Sequence, residues 1–197
     1  EETAGGPASD VTLEQLLSMR SGLDPAAVEP FDADVVGAGP LAAQPGTEWA
    51  YVTNNSELLA LGLDRRTESG LCEYAHTRVL EPIGVTVDHW HETPYGNVTG
   101  GSYAFVTPRE LALLGQLLLN RGSWGGQQVV PEGWITAMTT ERTDFGCRRG
   151  NAAESNRLIR SGAGMHVNLA EVSGHQVWQV GGYGGQSILV VADLDLV

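Results

Sequence analysis

The hydrophobic period of this 197-residue chain changes once, and that change limits the folds open to it. Up to about residue 140 apolar residues recur at three- and four-residue spacing; from Met165 onward they alternate. The first pattern belongs to helices that bury one face, the second to half-buried strands. Helices first and strands last, joined by short turns, point to an α+β fold with an antiparallel meander at the C-terminal end.

The local signals fill in that outline. Residues 1–10 read as a tail, 11–160 as a mostly helical and loop region, and 161–197 as C-terminal antiparallel strands. Thr12-Leu13-Glu14-Gln15 has the form of a capping box, followed by Leu13, Leu16 and Leu17 on one face and a stop at Ser21-Gly22. Asp24 to Pro45 reads as a long irregular loop. Asn54 or Asn55 would cap a helix through Leu58, Leu59 and Leu63 to about Thr67. A third helix carries Leu71, Tyr74, Ala75, Arg78 and Val79, ended by Pro82 and Gly84. Thr107-Pro108-Arg109-Glu110 is the strongest helix start in the chain, combining an N-cap, a first-position proline and an acid at the third position. Residues 140–160 read as a loop; Met165–Leu169, Gln176–Val180 and Ser187–Ala192 read as strands, with Ser173-Gly174 as a hairpin turn.

Charge and composition exclude whole classes of function. The formal net charge is −13, with 24 acidic residues spread along the chain, so nucleic acid and anionic lipid are disfavoured as partners. No apolar run approaches the roughly 20 residues that cross a bilayer. All 11 basic residues are arginine. Without lysine, these residues supply no Schiff base, P-loop lysine or Ser-Lys pair. Cys72 and Cys147 lie 75 positions apart with no metal-binding spacing, so two free, buried thiols are expected, with a disulfide as the alternative. The chain opens on Glu1-Glu2-Thr3 and closes at Val197 inside an apparent strand, from which a piece of a longer protein is expected.

Few groupings suggest chemistry on their own. His89-Trp90-His91 would place two imidazoles on one side of a strand, yet zinc needs further ligands, and loop histidines around a packed Trp are the simpler reading. There is no Gly-x-Ser-x-Gly nucleophile elbow. Gly181 to Gly185 joins two strands, where main chain can approach a ligand and donate N–H groups. Tyr51 stands just before a helix start, among small polar side chains that could line a cleft. A tyrosine acts as a general base only where positive charge or hydrogen bonds favour its ionised form.

In order along the chain, five segments resemble the serine β-lactamase/DD-peptidase superfamily, and within it the class C-like branch with its esterases and 6-aminohexanoate-dimer hydrolases. Val11–Leu23 resembles the family's ITLRHLLTMTSGL stretch; Pro45-Gly46-Thr47 with Tyr51 resembles its PGxxxxYSN stretch. Leu80-Glu81-Pro82-Ile83-Gly84 is similar to PLGM, and Gly100-Gly101 through Val130 to the helix-and-turn stretch that follows it. Gly182-Tyr183-Gly184-Gly185-Gln186 is similar to the third catalytic element.

The resemblance implies a β-lactamase/transpeptidase-like fold, and a serine that attacks an amide or ester carbonyl to form an acyl-enzyme. It assigns proton transfer to Tyr51 and the oxyanion hole to the backbone N–H of Tyr183, with Thr53, Asn55, Gly182 and Gly184 binding substrate. A small-molecule amide or ester is the implied partner, and no cofactor or metal is implied. Two departures stand out. Val180 replaces the cation of the third element, which favours ester or linear-amide chemistry over β-lactams. No Ser-x-x-Lys occurs, so these 197 residues alone are expected to be inactive. The alternative is a non-catalytic homologue that binds peptide, cell-wall ligand or a protein partner. Relatives are often exported, so the resemblance favours an extracytoplasmic location; the sequence leaves oligomeric state open.

Overall fold

The computed structural model describes residues 10–26, 41–94, 96–144 and 160–197. The chain divides into two compact units: Glu1–His76 with Val87–Phe105, and Thr77–Thr86 with Val106–Val197.

The first unit is helical. Helix α1 (Leu13–Leu17) opens with the expected capping box, Thr12 and Gln15 satisfying each other's backbone N–H groups. It stops before Ser21-Gly22, because Met19 turns left-handed at φ 57°. Helix α2 (Thr53–Arg66) starts without a side-chain cap. Val52, buried in the core, is its N-cap, and the Val52 carbonyl accepts the Asn55 N–H; neither Asn54 nor Asn55 plays the capping role. Helix α3 (Gly70–Ala75) follows. Strands β1 (His89–Trp90) and β2 (Ala104–Phe105) pair antiparallel. Leu16, Leu23 and Val52 form one core cluster with Leu58 and Leu59 against it; Ala60, Leu71 and Val98 form a second with Trp90. Cys72 is a free thiol, but it is exposed rather than buried, while its neighbour Leu71 takes the core position. Cys147 lies outside the described residues.

A π-helical turn, His76–Leu80, leads to the short helix α4 (Glu81–Ile83), ended by Gly84 at φ 77°. Pro82 therefore sits inside the last turn and does not stop the helix before it. A π turn leaves more room for a ring that lacks an N–H and crowds the preceding turn of an α-helix.

Helix α5 (Pro108–Leu119) carries the full capping box of Thr107 and Glu110, as the sequence implies. A turn with positive φ at Gly125 and Gly126 joins β3 (Ser123–Trp124) to β4 (Gln127–Gln128), and α6 (Glu132–Thr139) buries Ile135. Among the described residues the sheet of this unit has five antiparallel strands in chain order: β5 (Thr143–Asp144), β6 (Arg160–Ala163), β7 (Asn168–Val172), β8 (His175–Gly181) and β9 (Ser187–Val190). Ser173 and Gly174, both at positive φ, make the hairpin expected between β7 and β8.

One strand departs from its sequence reading. Met165 to Val167 belongs to the loop between β6 and β7, and the strand begins at Asn168. His166 turns left-handed at φ 55°, and the Gly164 N–H bonds the Val167 carbonyl across the loop. Met165 and Val167 are buried although they lie in a loop, which is why their alternation reads as strand. Val167, Leu169, Trp178 and Val190 form the core on the sheet, with Leu118, Leu119 and Met138 packed on it; Ile83, Val85 and Leu117 form the second core cluster of this unit.

Candidate active site

The proposed catalytic side chain, Tyr51, lies in the first unit on a segment tied down from several sides. The Ala50 N–H donates to the Met19 carbonyl at 3.0 Å, and the Gly46 N–H donates to the Arg20 carbonyl at 2.7 Å. The Arg20 guanidinium returns a bond to the Gly46 carbonyl. Gly22 meets the same region so closely that an added Cβ would fall 2.2 Å from the Ala43 carbonyl oxygen. The segments after α1 and before α2 are thus joined chiefly through main chain. Tyr51 emerges from this junction 53% exposed, while Val52 beside it is buried. The Tyr51 ring is therefore open to a ligand while its main chain is fixed.

Thr53 opens α2 and is half-buried. Asn55, placed by the sequence reading among the substrate-binding residues, is fully buried, and its Nδ2 donates to the Met19 thioether at 3.1 Å. Its side chain is enclosed against Met19, on the segment that follows α1.

Glu57 is a functional candidate that the sequence reading misses. It is buried on α2, three residues before Ala60, and its two oxygens accept the Gly100 and Gly101 N–H groups at 2.8 and 2.9 Å. Its signal in the sequence is an acid at helical spacing from Asn54 and Ala60 together with a distant Gly-Gly, and neither is legible without the other.

In the second unit, the turn after β8 holds the other residues that the sequence reading assigns to the site. The Gly182 N–H donates to the Gln186 carbonyl at 2.8 Å and the Gly185 N–H to the Gly182 carbonyl at 3.1 Å, closing a tight loop with Gly185 at φ 90°. Tyr183 is fully exposed at its tip, and its N–H has no backbone partner among the described residues. A Cβ on Gly182 or Gly184 would lie 2.7 or 2.8 Å from the amide end of the Gln186 side chain, which is flexible enough to move aside. Gln186 therefore folds over the turn, a second residue that the sequence reading leaves without a role. Val180 lies on β8, paired with Ile188 on β9.

His89 packs on Phe105 and His91 on Tyr103, with centroids 5.9 and 5.5 Å apart; Trp90 between them donates its Nε1–H to the Thr99 carbonyl. Among the described residues no third His, Cys, Asp or Glu joins them in a metal-holding group. His175 Nδ1 and Asp193 Oδ2 lie 2.6 Å apart at the surface, and this hydrogen bond holds the Asp193 carboxyl below the usual carboxylate range. No helix among the described residues is long and apolar enough to cross a membrane.

A helical region followed by an antiparallel sheet matches a β-lactamase/transpeptidase-like fold. The Beta-lactamase family model matches residues 2–197, and the chain belongs to that family. Similar solved structures include the octameric penicillin-binding protein homologue from Pyrococcus abyssi, at 16% identity and TM-score 0.67, covering 93% of this chain and 49% of that one. A β-lactamase from Mycobacterium bovis aligns at 22% identity and TM-score 0.66, covering 99% and 66%. A D-stereospecific amidohydrolase from Streptomyces sp. aligns at 18% identity and TM-score 0.62, covering 95% and 66%. These likenesses show the fold, and the chain spans between 49% and 66% of the three structures. No curated protein sequence matches.

Proposed function

We propose that these residues supply the proton-transfer tyrosine and the glycine turn of a serine hydrolase that cleaves a small-molecule amide or ester through an acyl-enzyme. The observation that carries this reading is the presentation of Tyr51: exposed ring, anchored main chain and a buried neighbour in Val52. In this scheme a serine oxygen bonds to the substrate carbonyl carbon and its proton passes through Tyr51 to the departing alcohol or amine. Water then cleaves the acyl-serine ester and restores the hydroxyl. The Tyr183 N–H would stabilise the oxyanion, a contribution of about 10²–10³ in rate per donor in comparable sites. Thr53 would bind substrate beside Tyr51, and Gly182 and Gly184 would let it approach the turn.

A Ser-x-x-Lys pair cannot come from these 197 residues, which contain no lysine. Turnover is therefore proposed for a longer protein that includes a Ser-x-x-Lys segment, and residues 1–197 are proposed to be inactive alone. Val180 at the third element supports esters or linear amides as substrates ahead of β-lactams.

The test is mass spectrometry of the full-length protein quenched during turnover of p-nitrophenyl butyrate. The expected result is one butyryl adduct on a serine that lies outside residues 1–197. Binding of the ester without any adduct would favour the non-catalytic homologue instead.

A further inference from the structure

We infer that Glu57 is a positioning residue for the substrate site, holding the Gly100–Gly101 turn as a fixed wall beside Thr53; this rests on the hydrolase reading above. A carboxylate on an internal helix face is costly to bury, and packing alone would be better served by the leucines found at the next two positions. Glu57 is only 7% exposed, and each of its oxygens takes one backbone N–H, from Gly100 at 2.8 Å and Gly101 at 2.9 Å. Charge-assisted bonds of this kind are shorter and stronger than neutral ones. Both N–H groups belong to consecutive residues, so the carboxylate fixes the orientation of the turn as well as its distance from α2.

The two glycines show how close that approach is. A Cβ at Gly100 would lie 2.2 Å from the Ser56 carbonyl oxygen and 2.5 Å from the Ala60 Cβ. One at Gly101 would lie 2.6 Å from the Thr53 Cγ2. The turn thus lies directly on the first two turns of α2 and touches the residue proposed to bind substrate. Beyond it the chain runs through Ser102 to Tyr103, which is exposed and held at φ 58°. The buried Thr99 hydroxyl donates to the Ser102 carbonyl, so the exit of the turn is fastened too. A wall built this way sets the width of the space beside Thr53. Loosening it alters how substrate is held and leaves the reacting groups in place.

The experiment is Glu57→Gln in the full-length protein, which places an amide N–H₂ where an acceptor is needed. Amide exchange at Gly100 and Gly101 is read by mass spectrometry or NMR, and kcat and KM are measured for p-nitrophenyl butyrate well below the melting temperature. The expected result is exchange at least tenfold faster at both glycines, KM raised about tenfold, and kcat within about twofold. Unchanged exchange overturns the inference, as does faster exchange with unchanged KM, which would make Glu57 merely structural. Gly100→Ala displaces the same turn from the Ser56 side and is expected to give the same KM rise in folded protein, so the inference stays testable if Glu57→Gln does not fold. Wild-type protein that forms no acyl adduct sinks the hydrolase reading and this inference's substrate role with it; exchange at the two glycines then still decides whether Glu57 holds the turn.

Discussion

Helices α2 and α5 begin in opposite ways. Helix α5 starts on Thr107, Pro108 and Glu110, and its capping bonds come from residues that the local sequence announces. Helix α2 starts on Val52 with no side-chain cap, and its first turns bury Asn54, Asn55 and Glu57, polar residues that a simple amphipathic helix would turn outward. The orderly start belongs to a structural element. The irregular one carries Tyr51 and Thr53. Local rules that fail at one place and hold elsewhere tend to mark a site under functional constraint.

The largest effect that would sharpen this contrast is at Gly100. Gly100→Ala drives a methyl into the Ser56 backbone carbonyl of α2, where nothing flexible can yield, and should cost about 2 kcal/mol or more by denaturant unfolding. A cost near zero would mean that the turn is not seated on α2.

Next is the cap of α5. Thr107→Ala should cost about 1 kcal/mol. The Glu110 carboxyl is held below its usual range, first by the Thr107 backbone N–H, then by the Thr107 hydroxyl, with the Thr86 N–H adding to them. A carboxyl depressed in the folded state contributes stability above the ordinary carboxylate range and loses it as pH falls through the depressed value. Unfolding curves from neutral pH into acid should therefore show this contribution fade in the wild type, and Glu110→Gln should remove that part of the pH dependence. An identical acid profile in both proteins would contradict the role given to Glu110.

The smallest stability effect should come from Thr53→Ala, within about 0.5 kcal/mol, because Thr53 does not cap its helix. Its effect is expected in KM for the ester. A cost as large as that of Thr107→Ala would show that the two helix starts are more alike than their geometry indicates.

Much of the architecture is legible in the sequence. The change of period marks the α+β order, Thr107 to Glu110 marks α5, and Ser173-Gly174 marks a hairpin, because each rests on residues close together in sequence. Elements that depend on distant partners are not legible. Glu57 means little until Gly100 and Gly101 arrive from more than 40 positions away. Strands β5 and β6 are short and border a polar stretch, so no alternation announces them. Buried Met165 and Val167 imitate a strand although a left-handed His166 lies between them. Tyr51 is singled out in the sequence by residue type and by its place before a helix; the burial of Asn55 is not legible, since an asparagine near a helix start reads as a cap or a ligand contact.

The central claim is that Tyr51 acts through its hydroxyl and Tyr183 through its backbone N–H alone. The most direct test is kcat for p-nitrophenyl butyrate in full-length Tyr51→Phe and Tyr183→Ala. Loss of a proton-transfer group should lower kcat by about 10²–10⁴ in Tyr51→Phe, with the fold retained. Tyr183→Ala keeps the N–H and should stay within about threefold of wild type, since one backbone donor is worth about 10²–10³ and is not lost. An unchanged kcat in Tyr51→Phe would contradict the account.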